Sequence, residues 1–299
     1  MSTSRWTAKD LPNLQGRRVI VTGANSGIGR VAAADLARAG ASVTLAVRDE
    51  SKGKKAAAAM SGDVAVRVLD LADLSSVRSF AHETTGEIDF LIDNAGIMAT
   101  PEARTVDGFE MQFGTNHLGH FALTNLLLPQ VTDRVVVVSS DLHRRGKIDL
   151  ADLNWERRRY KAWDAYSQSK LANLLFVFEL ERRLIAAKSN IRAIAVHPGY
   201  AATNLQGHSK NPVTNFGSSI ANRLIAQSDT MGALPTIYAT VADIPGGSYV
   251  GPDGFQRLRG YPTLNNPASQ ALDATMAGKL WELSEELTGV HWPLGPAGS

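Results

Sequence analysis

The 299-residue chain contains no cysteine. That absence excludes disulfides, zinc-thiolate centres, iron–sulfur clusters and a cysteine nucleophile. It also lacks an excess of either charge: 31 Lys and Arg stand against 29 Asp and Glu, a formal net charge of +2. Such a balance does not attract nucleic acid or an anionic membrane, so no nucleic-acid partner is expected. The run Arg157-Arg158-Arg159 reads as a solvated face. No run reaches the roughly 18 apolar residues that a spanning helix requires, and Met1 to Gly16 carries no apolar signal core. The expectation is a cytoplasmic protein with no membrane span. Internal repeats and low-complexity linkers are absent too, and residues 1–299 read as a single domain.

What is present is an alternation. Arg17–Thr22, Ala41–Val47, Val64–Leu69, Ile88–Ile92, Arg134–Val138, Ile191–Val196 and Gly247–Val250 are short, mostly aliphatic runs. Between them lie helical stretches: Arg30–Ala39 closing at Gly40, Ser51–Met60, Leu74–Glu83, a long helix within Val106–Leu128 before Pro129, and Leu171–Ala187, which Tyr166 would open. Continuous apolar strands separated by helices predict a parallel sheet covered on both faces. The fold class is therefore α/β, a Rossmann-type doubly wound sheet of about seven parallel strands with helices on both faces. Residues 200–227 are long for a connection and are read as a substrate lid. Residues 251–267, rich in Gly and Pro, read as loop, and 271–287 as a C-terminal helical tail.

Ligands of such sheets sit beyond the carboxyl ends of the strands, where this chain collects its polar residues. Gly23-Ala24-Asn25-Ser26-Gly27-Ile28-Gly29 joins the first strand to the first helix. Glycines there let backbone approach a pyrophosphate that the helix amides then bind. No Gly-Lys-Ser/Thr follows, so this is not a P-loop. Arg48-Asp49 ends the second strand: arginine suits a ribose 2′-phosphate and an acid suits a free 2′-OH. Arg48 comes first and points to NADP(H), with NAD(H) left open. Ser139 and Ser140 end the central strand. Tyr166 and Lys170, four apart on one helix face, form a pair in which an ammonium would lower a phenol pKa toward neutrality. His117 and His120 have metal-like spacing but no third ligand, and no metal is expected. Ser140, Asp141 and His143 lack the nucleophile elbow of a hydrolase. His143 reads as a rim residue and Asp141 as structural.

Together these stretches resemble the short-chain dehydrogenase/reductase family. The resemblance rests on Thr22–Gly29, Asp70-Leu71, Asn94-Ala95-Gly96, Asn116-His117-Leu118-Gly119, Val138-Ser139-Ser140, Tyr166-Ser167-Gln168-Ser169-Lys170 and His197-Pro198-Gly199, in that order. Trp6-Thr7, Val47-Arg48-Asp49, His120-Phe121 and Leu171-Ala172-Asn173 are similar to its retinol-dehydrogenase and protochlorophyllide-reductase-like branch, whose members tend to use NADP. The resemblance implies an oxidoreductase that interconverts an alcohol and a carbonyl. Tyr166 would be general acid/base, Lys170 its partner and a ribose ligand, Ser140 the substrate-orienting hydroxyl, and Asn116 the holder of a relay water. Gly23, Asn25, Ser26, Gly27, Ile28, Gly29, Arg48, Asp70, Leu71, Asn94, Ala95, Gly96, Tyr166, Lys170, Pro198, Gly199 and Thr203 would hold the dinucleotide. Asp93 stands where the family usually has Asn, and an acid there would pair locally. Relatives often form homo-oligomers through the two long helices near 106–128 and 166–187. More apolar than charged contacts in the lid hint at a lipophilic substrate. The alternative from another class is a non-catalytic NADP(H)-binding redox sensor.

Overall fold

Strands with no polar face must be covered twice. The computed structural model, which describes residues 5–200 and 228–295, shows how. β1 (Arg18–Thr22) lies third in an eight-stranded sheet. The other strands are β2 (Ser42–Val47), β3 (Val64–Val68), β4 (Ile88–Asp93), β5 (Val131–Val138), β6 (Arg192–Val196), β7 (Tyr249–Pro252) and β8 (Pro262–Leu264), in the order β3-β2-β1-β4-β5-β6-β7-β8. Side chains alternate between two cores, as the pleat requires. Val19 and Val21 enter one core and Ile20 the other; on β5, Val136 and Val138 enter the first and Val135 and Val137 the second. Helices α1 (Gly27–Arg38) and α2 (Glu50–Ala58) pack into the first core, and α3 (Leu74–His82) into the second.

Seven strands are parallel, and β8 pairs antiparallel to β7 at the edge. The sequence pattern marks that region as loop because Pro252, Pro262, Gly254 and Gly260 fill it. Proline is tolerated at a sheet edge, and Gly260 takes φ +131° at the turn, where an added Cβ would lie 2.2 Å from the Asp253 carboxylate. The chain therefore doubles back instead of wandering. β1 pairs with both β2 and β4, so the strand order reverses beside it and opens a crevice at the carboxyl ends.

The helix expected within 106–128 opens later and is not uniform. Glu110 caps α4 (Met111–Phe113), accepting the Gln112 and Phe113 amides at 2.9 and 2.7 Å. A π-helical turn, Gly114–Leu118, follows and leads into α5 (Gly119–Leu127). The Tyr166 helix, α6, spans Ala162–Ala186. It starts a turn before Tyr166, which therefore does not open it. After α7 (Asp229–Val241), α8 (Ala274–Thr288) lies against α6.

That packing covers much of α6. Every residue of α6 from Ala165 to Leu180 is buried within this one chain. Trp281 of α8 stacks on Phe176 with centroids 5.6 Å apart and meets Phe121 edge-on at 4.9 Å. Arg183 covers Trp281 from above, its Cζ 4.4 Å from the ring centroid. Among the described residues no helix is long and apolar enough to cross a membrane. Truncating Trp281→Ala should cost about 3–5 kcal/mol, the usual toll of emptying a fully buried aromatic site. Denaturant unfolding measures it, and an unchanged midpoint would show that α8 adds nothing to the core.

Candidate active site

A cleft of about 320 Å³ runs along the carboxyl ends of β1, β2, β4 and β5. Of the residues implied by sequence, Gly23, Asn25, Ser26, Gly27, Ile28, Gly29, Arg48, Asp70, Leu71, Asn94, Ala95, Gly96, Tyr166, Lys170 and Pro198 line it. Val138 and Ser139 of the Val138-Ser139-Ser140 stretch line it too, as do Ala46, Leu69, Ile97 and Thr115, which carry no motif signal. Asn116, Ser140 and Gly199 stand behind or beside the wall, and Thr203 lies outside the described residues, as does nearly all of the expected lid.

At one end, the glycine turn is packed against protein as well as opened to the cleft. A Cβ on Gly23, whose φ is +66°, would lie 2.9 Å from Ala95 Cα; one on Gly29 would lie 2.2 Å from Asn94 Nδ2. These two glycines admit the β4 turn. The turn itself hangs from Thr22: its Oγ1 accepts the Asn94 and Ala95 amides at 2.9 Å each, and Asn94 Nδ2 donates to the Thr22 carbonyl at 2.8 Å. Ser26 is the N-cap of α1, but its hydroxyl makes no capping bond, so the first amides of α1 have no side-chain acceptor. On the adenosine side the Arg48/Asp49 ambiguity separates. Asp49 accepts the Lys52 amide at 3.0 Å as the N-cap of α2. Arg48 is exposed, lines the cleft and makes no ion pair among the described residues. Asp70 accepts the Ala72 amide at 3.0 Å.

At the other end, Tyr166 and Lys170 share a face of α6, with Lys170 Nζ 5.8 Å from the centre of the phenol ring. Lys170 Nζ donates to the Val138 carbonyl at 3.0 Å. Burial pulls its pKa down to about 8. The expected depression of the phenol is reversed: burial pushes the Tyr166 pKa up to about 12, and the Ser140 hydroxyl, hydrogen-bonded to it, lowers it only in part. Desolvation outweighs an ammonium that is itself turned to a carbonyl. Ser140 also accepts the Leu142 amide at 3.2 Å. Ser139 is structural, donating to the Lys170 carbonyl at 2.7 Å. The Asn116 side chain is fully spent: Oδ1 accepts the Ile97 amide at 2.8 Å, and Nδ2 donates to the Ile97 carbonyl and to Ser169 Oγ at 2.9 Å each.

His143, read as a rim residue, is fully buried. Its Nδ1 donates to the Ser140 carbonyl at 2.7 Å and its Nε2 accepts the Ala268 amide at 3.0 Å, tying the Ser140 turn to the C-terminal region. Asp141 pairs with Arg144 at 2.9 Å. His117 bonds Ser284 at 2.9 Å and does not converge with His120. Among the described residues no group of three or more acidic, His or Cys side chains is placed to hold a metal. Trp163, half exposed, meets Tyr166 edge-on with centroids 6.4 Å apart and was not signalled by any motif.

The family described as short chain dehydrogenase matches residues 17–213. The chain belongs to that family. It is an oxidoreductase with the family's dinucleotide-binding fold. Human retinol dehydrogenase 13 is 42% identical over 299 residues, covering 94% of this chain and 87% of the relative. Mouse retinol dehydrogenase 14 is 39% identical over 303 residues, covering 93% and 87%. An uncharacterized protein of Mycobacterium paratuberculosis, known from a crystal structure, is 54% identical, with a TM-score of 0.86 over 97% of this chain and 100% of that one. The NADP complex of Pseudomonas aeruginosa RhlG shares the fold at 24% identity, with a TM-score of 0.61 over 79% and 94%.

The position where the family usually has Asn holds Asp93, fully buried, with Oδ2 accepting the Thr124 hydroxyl at 2.7 Å. Oδ1 has no partner among the described residues. Burial pushes this carboxyl up to about 7, so at neutral pH it is often protonated and amide-like. As pH rises from 3.8 toward 7 the unfolded chain releases a proton that folded Asp93 retains, so stability falls over that window. Glu110 and Glu181, also raised by burial, add to the fall. Asp93→Asn should make the decline shallower, read from unfolding midpoints across pH 4 to 7. An unchanged slope would mean that Asp93 titrates normally.

Proposed function

We propose that the protein is an NADP(H)-dependent oxidoreductase that interconverts a lipophilic alcohol and its carbonyl. The observation that carries the reading is the single cleft bounded at one end by Arg48 and at the other by Tyr166 and Lys170. The residues present fit a dinucleotide: Arg48 for a 2′-phosphate, the uncapped α1 amides behind Ser26 and Gly27 for the pyrophosphate, and Asp70, Leu71 and Asn94–Gly96 along the adenosine side. Because Asp49 is occupied at the α2 cap, the 2′-phosphate is favoured over a free 2′-OH. NADP(H), when bound, supplies or accepts the hydride.

The chain's own residues manage the oxygen and its proton. Ser140 orients the substrate oxygen toward Tyr166. A phenol held near 12 stays protonated at neutral pH, which suits it to give its proton to the oxygen of a carbonyl being reduced. In the reverse direction the phenolate takes the alcohol proton, and Lys170 would stabilise that anion only by turning from the Val138 carbonyl toward it. Asn116 holds the Ile97 backbone and the Ser169 hydroxyl at the base of the site, next to Lys170. Trp163, beside Tyr166, offers an apolar wall, and the lipophilic class is supported by the relatives' naming as retinol dehydrogenases.

Tyr166→Phe should bind NADPH as the wild type does and lose at least about a thousandfold in turnover, the scale of removing general acid/base catalysis. NADPH consumption over a carbonyl panel measures it, and retained activity would remove Tyr166 from the mechanism. A non-catalytic binder would show no turnover in either form. Arg48→Ala should weaken NADPH about tenfold or more, with NADH little changed, as loss of one charge-assisted phosphate contact predicts. Equal weakening of both cofactors, seen by fluorescence titration, would put the 2′-phosphate elsewhere.

A further inference from the structure

His120 takes no part in the proton or cofactor chemistry above, yet it is sealed in the middle of it, 1% exposed at the start of α5. Its Nδ1 lies 3.0 Å from the Asn116 backbone carbonyl, and its Nε2 2.9 Å from Thr22 Oγ1. A carbonyl only accepts, so Nδ1 carries the proton. Burial, with the charge of Lys170 adding to it, holds the ring's pKa down at about 4, so the ring is neutral and Nε2 is an acceptor. The Thr22 hydroxyl, 3.4 Å from the Ile92 carbonyl but 2.9 Å from this acceptor nitrogen, therefore donates to it. Every bond in the chain then has a direction: the Asn94 and Ala95 amides donate to Thr22 Oγ1, Thr22 donates to His120, and His120 donates to Asn116.

The two ends of that chain form different walls of the site. The β4 turn belongs to the sheet; Asn116 belongs to the π turn, where the regular helical ladder is interrupted and a carbonyl has a choice of partners. The walls meet closely: a Cβ on Gly96 would lie 3.3 Å from both Asn116 Oδ1 and Lys170 Nζ. A small slip between them would misplace Lys170, and misplacement of that order costs rate steeply.

We propose that His120, as its Nδ1–H tautomer, is a positioning residue that locks the Asn94–Gly96 turn to the π turn of Asn116, so that both hold one register beneath Lys170. Both ring nitrogens are engaged, which leaves neither to ligate a metal.

The test pairs H120Q with H120M, side chains of similar length, one with a donor and an acceptor and one with neither. This kinetic arm rests on the oxidoreductase reading. H120Q should keep kcat within about threefold of wild type, and H120M should lose about tenfold or more while the substrate KM stays within about twofold. Equal kcat in the two variants, or a loss confined to melting temperature, would overturn the proposal. A second arm needs no turnover. The long-range proton–nitrogen spectrum of histidine-labelled wild-type protein, assigned by its difference from H120Q, should show His120 neutral with its proton on Nδ1 at neutral pH. A proton on Nε2, or a charged ring, would overturn the proposal even in a fully active enzyme. Absence of wild-type activity on any carbonyl would count against the oxidoreductase reading and leave this spectral arm to decide.

Discussion

The Thr22 hydroxyl, buried at the end of β1, takes two amides of the part-buried β4 turn on the side facing away from the cleft's open space. An unpaired buried amide costs on the order of 1–3 kcal/mol, so this one oxygen holds the shape of the turn. The close approach of Ala95 to Gly23 and of Asn94 to Gly29 depends on it, because the turn must sit tight against β1 before the glycines matter. The cleft is the space left on the other side.

The same burial sets the electrostatics of the far end. Tyr166 and Lys170 are both pushed toward their neutral forms, up to about 12 and down to about 8. Desolvation acts on each alone, while their mutual attraction needs the ammonium aimed at the phenol oxygen, and here it is aimed at the Val138 carbonyl. Proximity in sequence brings the pair onto one helix face without making it an ion pair.

Much of the fold was legible. Seven aliphatic runs became seven parallel strands; apart from the edge strand β3 they are mostly buried, and a strand buried on both faces cannot hide a polar alternation. The glycine turn, Arg48, Asp70, Asn94–Gly96, Tyr166 and Lys170 were readable as cleft residues, because they occupy strand ends or one helix face. β8 was not readable, since Gly and Pro mark turns more loudly than a three-residue edge strand marks itself. The π turn at Asn116 was not readable either, for its residues differ in nothing obvious from an α-helix.

The sequence by itself determined the order of strands and helices, the absence of cysteine chemistry and the residue types at the strand ends. Those follow from local periodicity and composition, which act over a few residues. Only the tertiary structure decided that Asp49 caps a helix and leaves Arg48 facing the cleft, and that α8 covers α6. It also decided that the Tyr166 phenol rises where its lysine would lower it, and that His143 is a buried tie instead of a rim residue. Each of these depends on burial and on partners tens of residues away, which no local pattern encodes.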